Sequence, residues 1–130
     1  MTSAKDLRSP LSRARGLGSA KEGVHHFWVQ RVSAIALIPL ALWFVFSVAL
    51  FVGGDYASAK HWVSAPSVAI TLVLFLATAL YHSMLGVQVI VEDYVANEGA
   101  KLALLLFSKF GHAVLAASAI FAVLSIALKN

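Results

Sequence analysis

Three long apolar runs separated by short polar breaks dominate the chain. The first goes from about Val32 to Val52, roughly 21 residues or about 31 Å of helix, enough to cross the hydrocarbon core of a bilayer. Pro39 stands inside it, where a proline is expected to kink a helix, and Gly53-Gly54-Asp55 ends it. Tyr56 to Ala65 reads as a short polar loop with Lys60, His61 and Trp62. Pro66 opens the second helix, a favoured place for proline. Its apolar run from about Val68 to Val91 is roughly 24 residues, enough to span with tilt. Glu92 to Lys101 forms a second loop, and the third span falls within Leu102 to Leu128. Lys109 is expected to snorkel to the surface near the start of that span. The pattern predicts an all-α membrane protein with three transmembrane helices at about 30–53, 66–92 and 103–128.

Composition supports this. The 130 residues are 60% hydrophobic and 12% charged, against about 25% charged in a soluble domain. No cysteine is present, so disulfides, iron–sulfur ligation and a thiol nucleophile are excluded. The net charge of +4 is unevenly spread. Residues 1–22 form a polar basic arm with Lys5, Arg8, Arg13, Arg15 and Lys21 against Asp6 and Glu22. An Arg- and Ser-rich start is also compatible with an organelle transit peptide. It does not read as a secretory signal, because the apolar run that follows is too long. With most of the chain in lipid, nucleic-acid binding is a poor reading.

Positive residues set the orientation of spans. The arm, Arg31, Lys101 and Lys109 fall on one side, with only Lys60 and Lys129 on the other. The N-terminus is therefore expected on the cytoplasmic or matrix side, and the C-terminus on the periplasmic or intermembrane side. Trp28 suits the interfacial belt.

The candidate chemistry gathers in Tyr81 to Tyr94, YHSMLGVQVIVEDY. An ionisable residue inside a span is costly and by default suggests function. At about 100° per residue, Gly86 sits about 40° from His82 and Asp93 about 20° from it. One face therefore carries an imidazole, a gap without a side chain, and a carboxylate at the water boundary. That face has room for a flat group beside His82, and histidine is a good axial ligand for haem iron. A histidine bonded only to a neighbouring helix is the plain alternative.

His112 lies near a span end, so a second haem ligand would have to come from another subunit. His25 and Arg31 flank the entrance to the first span, where head-group contact is the ordinary role. If a haem hangs from His82, Arg31 is on the side its propionates need, since an arginine–carboxylate contact is strong in a dry site. Asp93 and Tyr94 can be a polar helix end with an interfacial aromatic. They can also serve a quinone, whose carbonyl needs a hydrogen-bond donor and whose reduction needs protons. Small residues in the third span (Gly111, Ala113, Ala116, Ala117, Ser118, Ala119 and Ala122) suit close helix packing. No P-loop, HExxH or paired-carboxylate motif is present, and the chain is not expected to be an enzyme by itself.

Gly23-Val24-His25-x-Phe27-x-x-x-Arg31-x-Ser33-Ala34-Ile35, a span, then His82-x-x-x-Gly86 with Asp93-Tyr94 resembles the small membrane anchor of succinate dehydrogenase, respiratory complex II. The resemblance runs from about Gly23 to the C-terminus. It implies a helical bundle with a second membrane anchor, beneath an iron–sulfur protein and a flavoprotein. By the same resemblance His82 is an axial ligand of haem b shared with the partner anchor, and Gly86 faces the haem. His25 and Arg31 lie near the propionates, with His26 competing with His25 for that place. Tyr94 hydrogen-bonds ubiquinone beside Asp93. The expected location is the bacterial inner membrane, or the mitochondrial one. Alternatives of other classes are a cofactor-free structural anchor and a small holin-like pore-forming protein.

Overall fold

The structure, a computed structural model, describes residues 21–51 and 53–129. The basic arm lies outside the described residues except for its last two positions. The described residues form four helices and no strand: α1 (Lys21–Leu50), α2 (Tyr56–Ser64), α3 (Pro66–Tyr94) and α4 (Glu98–Ala127). The helices α1, α3 and α4 are each long and apolar enough to cross a membrane.

Helix α3 is the centre of the bundle. The helices α1 and α4 each pack along it, their backbones do not approach one another, and α2 touches α3 and α4. The small core follows from this layout. Ala69 and Leu72 of α3 are buried against Val123 of α4, with Trp43 and Phe44 of α1 packed on them. Phe44 and Phe75 stack at 4.7 Å between centroids. Beyond this core the long helices expose large apolar side chains such as Ile35, Phe46, Phe107 and Phe121. A water-soluble monomer rarely shows so much apolar surface. Here lipid and partner helices are its natural cover.

Three boundaries differ from expectation, each for a local reason. The stretch Tyr56–Ser64 is a helix, where a loop was expected. Asp55 caps it by accepting the Ser58 N–H at 2.9 Å, which satisfies a donor that a helix start leaves open. Trp62 then anchors it, stacked on Trp43 at 5.9 Å and tilted against Phe51 at 5.1 Å. Nine residues are too few for a polar-to-apolar period to declare itself. Helix α1 begins at Lys21, so the polar lead-in is helical too, and its helical assignment continues through Pro39. Helix α4 begins at Glu98 because Asn97 caps it, accepting the Ala100 N–H at 2.9 Å, with a Glu98–Lys101 pair at 3.0 Å in its first turn. A helix need not stop where the apolar run stops. Between α1 and α2, Gly53 adopts φ +93°, a conformation that favours glycine.

Candidate functional site

The site lies in the seam between α1 and α3, at the end where α1 begins and α3 finishes. Helical spacing puts His82, Gly86 and Val89 of α3 in one line. From α1 come Gly23, His26, Phe27, Gln30, Arg31 and Ala34, again spaced by threes and fours. Together these residues line an open groove of about 440 Å³.

His82 is held at one nitrogen. Its Nδ1 lies 2.9 Å from the Ser33 hydroxyl, and that hydroxyl donates to the Gln30 carbonyl at 2.9 Å. A serine has one proton to give, and a carbonyl can only accept. With the Ser33 proton given to Gln30, the His82 Nδ1–H is the donor to Ser33. The neutral imidazole then carries its lone pair on Nε2. Among the described residues Nε2 makes no hydrogen bond, and His82 is part of the groove wall. This is the tautomer a metal-ligating histidine needs. No group of three or more histidine, aspartate or glutamate side chains stands close enough to hold a bare metal ion among the described residues. The groove wall carries two imidazoles, His82 of α3 and His26 of α1.

Gly86 lines the same groove one helical turn along α3 from His82. A Cβ placed on it would meet only the Gln30 Nε2, at 3.8 Å, an ordinary contact. Nothing among the described residues requires glycine there, so the room it leaves belongs to the groove. Arg31 stands in the same groove with its guanidinium 4.4 Å from the centre of the Phe27 ring. Among the described residues it has no acidic partner.

The two adjacent histidines of α1 are placed differently. His26 lies between two hollows, in the groove wall with Arg31 and His82 and also in the wall of the neighbouring hollow, and among the described residues its Nε2 is buried without a hydrogen-bond partner. His25 is exposed and turns toward a neighbouring, more polar hollow of about 320 Å³ with Tyr81, Gln88 and Glu92. Gln88 donates to Glu92 there at 2.8 Å. Asp93 and Tyr94 end α3. Both are exposed, Tyr94 at 84%, and neither lines the groove. Tyr94 is twelve residues, or about 18 Å of helix, from His82. The structure thus brings together His82, Gly86 and Arg31, and keeps His25, Asp93 and Tyr94 apart from them.

Sequence reasoning passed over Ser33 and Gln30 as chemistry. The available signal was their spacing of three, which lets a serine hydroxyl bond back to its own helix.

The chain matches the family model described as succinate dehydrogenase/fumarate reductase transmembrane subunit over residues 5–125. The chain belongs to this family. Among curated relatives, a succinate dehydrogenase hydrophobic membrane anchor subunit of Paracoccus denitrificans is 34% identical over 110 residues, 85% of each chain. The protein of the same description from Rickettsia bellii is 36% identical over 91 residues, 70% of this chain and 73% of the relative. The succinate dehydrogenase membrane anchor subunit of Reclinomonas americana is 30% identical over 93 residues, 63% of this chain and 71% of the relative. No solved structure matches. The family match includes every residue of the groove, and with it the pore-forming alternative loses its footing. Family membership and three spanning-length helices make this a multi-pass membrane anchor within a succinate dehydrogenase complex.

Proposed function

We propose that this anchor holds one side of a haem b and contributes to a ubiquinone reduction site. Electrons from succinate would reach that site through a flavoprotein and an iron–sulfur protein. The observation that carries the reading is the His82 Nε2, left with its lone pair in a groove that Gly86 keeps open. The residues present fit such a group: an imidazole ligand, a missing side chain in the same groove, and a cation that has no acidic partner among the described residues and is available to carboxylates. A bound haem supplies one-electron redox chemistry. Everything else falls to the chain. His82 would hold the iron through its imidazole. Arg31 would meet the propionates with an imidazole of the His25–His26 pair, and His26 is the one on the groove wall. The second axial ligand would come from the partner membrane anchor.

Tyr94 donates a hydrogen bond to a quinone carbonyl, and Asp93 relays protons from the water boundary. Their exposure suits a pocket completed by the partner anchor and the iron–sulfur protein. The excess of Lys and Arg on the α1 side supports a cytoplasmic N-terminus in a bacterial inner membrane, with residues 1–22 as a basic arm.

The test is a reduced-minus-oxidised absorption spectrum of the complex purified through this chain, for wild type and His82→Ala. A b-type band that disappears or shifts in the variant is expected. No band in the wild type would leave a cofactor-free anchor.

A further inference from the structure

We propose that Ser33 is a positioning residue for the haem ligand, setting the tautomer and ring orientation of His82 and through them the reduction potential of the haem. The inference rests on the reading of His82 as ligand and adds a role for a residue that never touches the iron.

Ser33 is the buried polar residue among those described, 8% exposed, in a helix whose neighbouring positions are exposed or line the groove. A hydroxyl there is costly unless it is bonded. Donation to the Gln30 carbonyl at 2.9 Å is enough to satisfy Ser33, as for many helical serines. Its oxygen is then left as an acceptor, and it faces His82 Nδ1 at 2.9 Å across the seam, 49 residues away in the chain. The Gln30–Ser33–His82 chain runs in one direction because its last acceptor is a carbonyl. An outer partner of this kind fixes which nitrogen is protonated, stops rotation of the ring and raises the basicity of the other nitrogen. A more basic axial nitrogen favours ferric over ferrous iron and lowers the potential.

Removing the acceptor reverses each effect. In Ser33→Ala the Nδ1–H points into an apolar seam without a partner, and the ring can turn or exchange its proton to Nε2. The haem potential should shift to more positive values. The ferric low-spin EPR signal should broaden or move, and haem retention should weaken by about tenfold. Ser33→Thr keeps the hydroxyl at the same place in the helix and should restore the wild-type potential. Ser33→Cys, close to serine in volume but a weak acceptor, should move toward the alanine value and serves if the alanine variant does not assemble.

The experiment is a redox titration with ferric EPR on the purified complex carrying wild type, Ser33→Ala, Ser33→Cys, Ser33→Thr and His82→Ala. A positive shift in the alanine or cysteine variant, recovered by threonine, supports the inference. Unchanged potential and EPR in both, with a band still lost in His82→Ala, overturns the role of Ser33 and leaves the haem reading intact. A wild type without a b-type band, or a band indifferent to His82→Ala, overturns both. Reduced assembly with no change in potential reveals a packing serine only, and also overturns it.

Discussion

The two seams of α3 are built from the same parts and end differently. Toward α1, His82 gives its Nδ1–H to Ser33. Toward α4, the adjacent residue Ser83 reaches His112, whose Nε2 lies 3.2 Å from the Ser83 hydroxyl. The His112 Nδ1 lies 2.8 Å from the Ser108 carbonyl, so it too carries the proton. Its Nε2 must then accept from Ser83. Both histidines are the same tautomer, each tied to a serine across a helix pair. His112 uses both nitrogens inside the chain and is a clamp. His82 uses one. If His82 is a ligand, what separates it from His112 is where the second nitrogen goes, which membrane depth alone does not reveal.

The sharpest way to break this comparison is to truncate both histidines. His82→Ala should abolish the b-type band. His112→Ala should keep the band while loosening α4 from α3, with a stability loss of about 1 kcal/mol, as for an interhelical hydrogen bond in a membrane. Difference spectra read the first effect, and unfolding of the purified complex in SDS reads the second. Loss of the band in both variants would mean that the two seams are not independent.

Each seam also has a glycine. Gly111 of α4 lines the α3–α4 cleft with His112, and a Cβ on it would meet nothing within 4 Å. Gly86 would meet only the Gln30 Nε2. Alanine at either place should raise intrinsic helix stability by about 1 kcal/mol. Haem content should divide them. Gly86→Val should lower it several-fold by filling the groove next to His82, and Gly111→Val should leave it unchanged. A pyridine haemochrome assay per mole of flavin measures the split. Equal content in both variants would show that the groove is not where the flat group sits.

The residues proposed to serve a quinone test the far end of α3 in a milder way. Tyr94→Phe removes one hydroxyl from an exposed side chain. If that hydroxyl donates to the quinone, its loss should lower quinone reduction by about five- to tenfold, the equivalent of one hydrogen bond of about 1 to 1.5 kcal/mol. Succinate oxidation with a soluble dye should survive. Equal loss of both activities would place Tyr94 outside the quinone step.

Much of this was legible in one dimension. The three spans are runs of hydrophobic residues long enough to cross lipid, and a span declares itself by length alone. His82 and Gly86 share a face by simple angular spacing, and the groove bears this out. What sequence could not show is lateral. Whether His25 or His26 turns into the groove depends on the rotation of α1 against α3. The Ser33–His82 bond joins residues from different helices, and no periodicity within one helix points to it. Helix α2 was hidden for a third reason: its stability comes from Trp62 finding Trp43 and Phe51, contacts that exist only after the long helices have packed.

Helix α2 also provides the smallest expected effect, at the end of the molecule away from both histidines. The Ser58 hydroxyl and backbone N–H hold the Asp55 carboxyl below the usual carboxylate value. Its folded pKa is thus lower than its unfolded one. The cap contributes fully above the unfolded value, about 3.9, and the contribution is lost as pH falls through the folded value. Acidification should therefore fray the first turn of α2 and disturb the stacked Trp43–Trp62 pair, read as a change in tryptophan fluorescence below about pH 4. Asp55→Asn keeps an oxygen that can accept the Ser58 N–H but has no proton to gain, so its fluorescence should stay flat over the same range. A wild-type signal that is equally flat would show that Trp62 packing alone holds α2 in place.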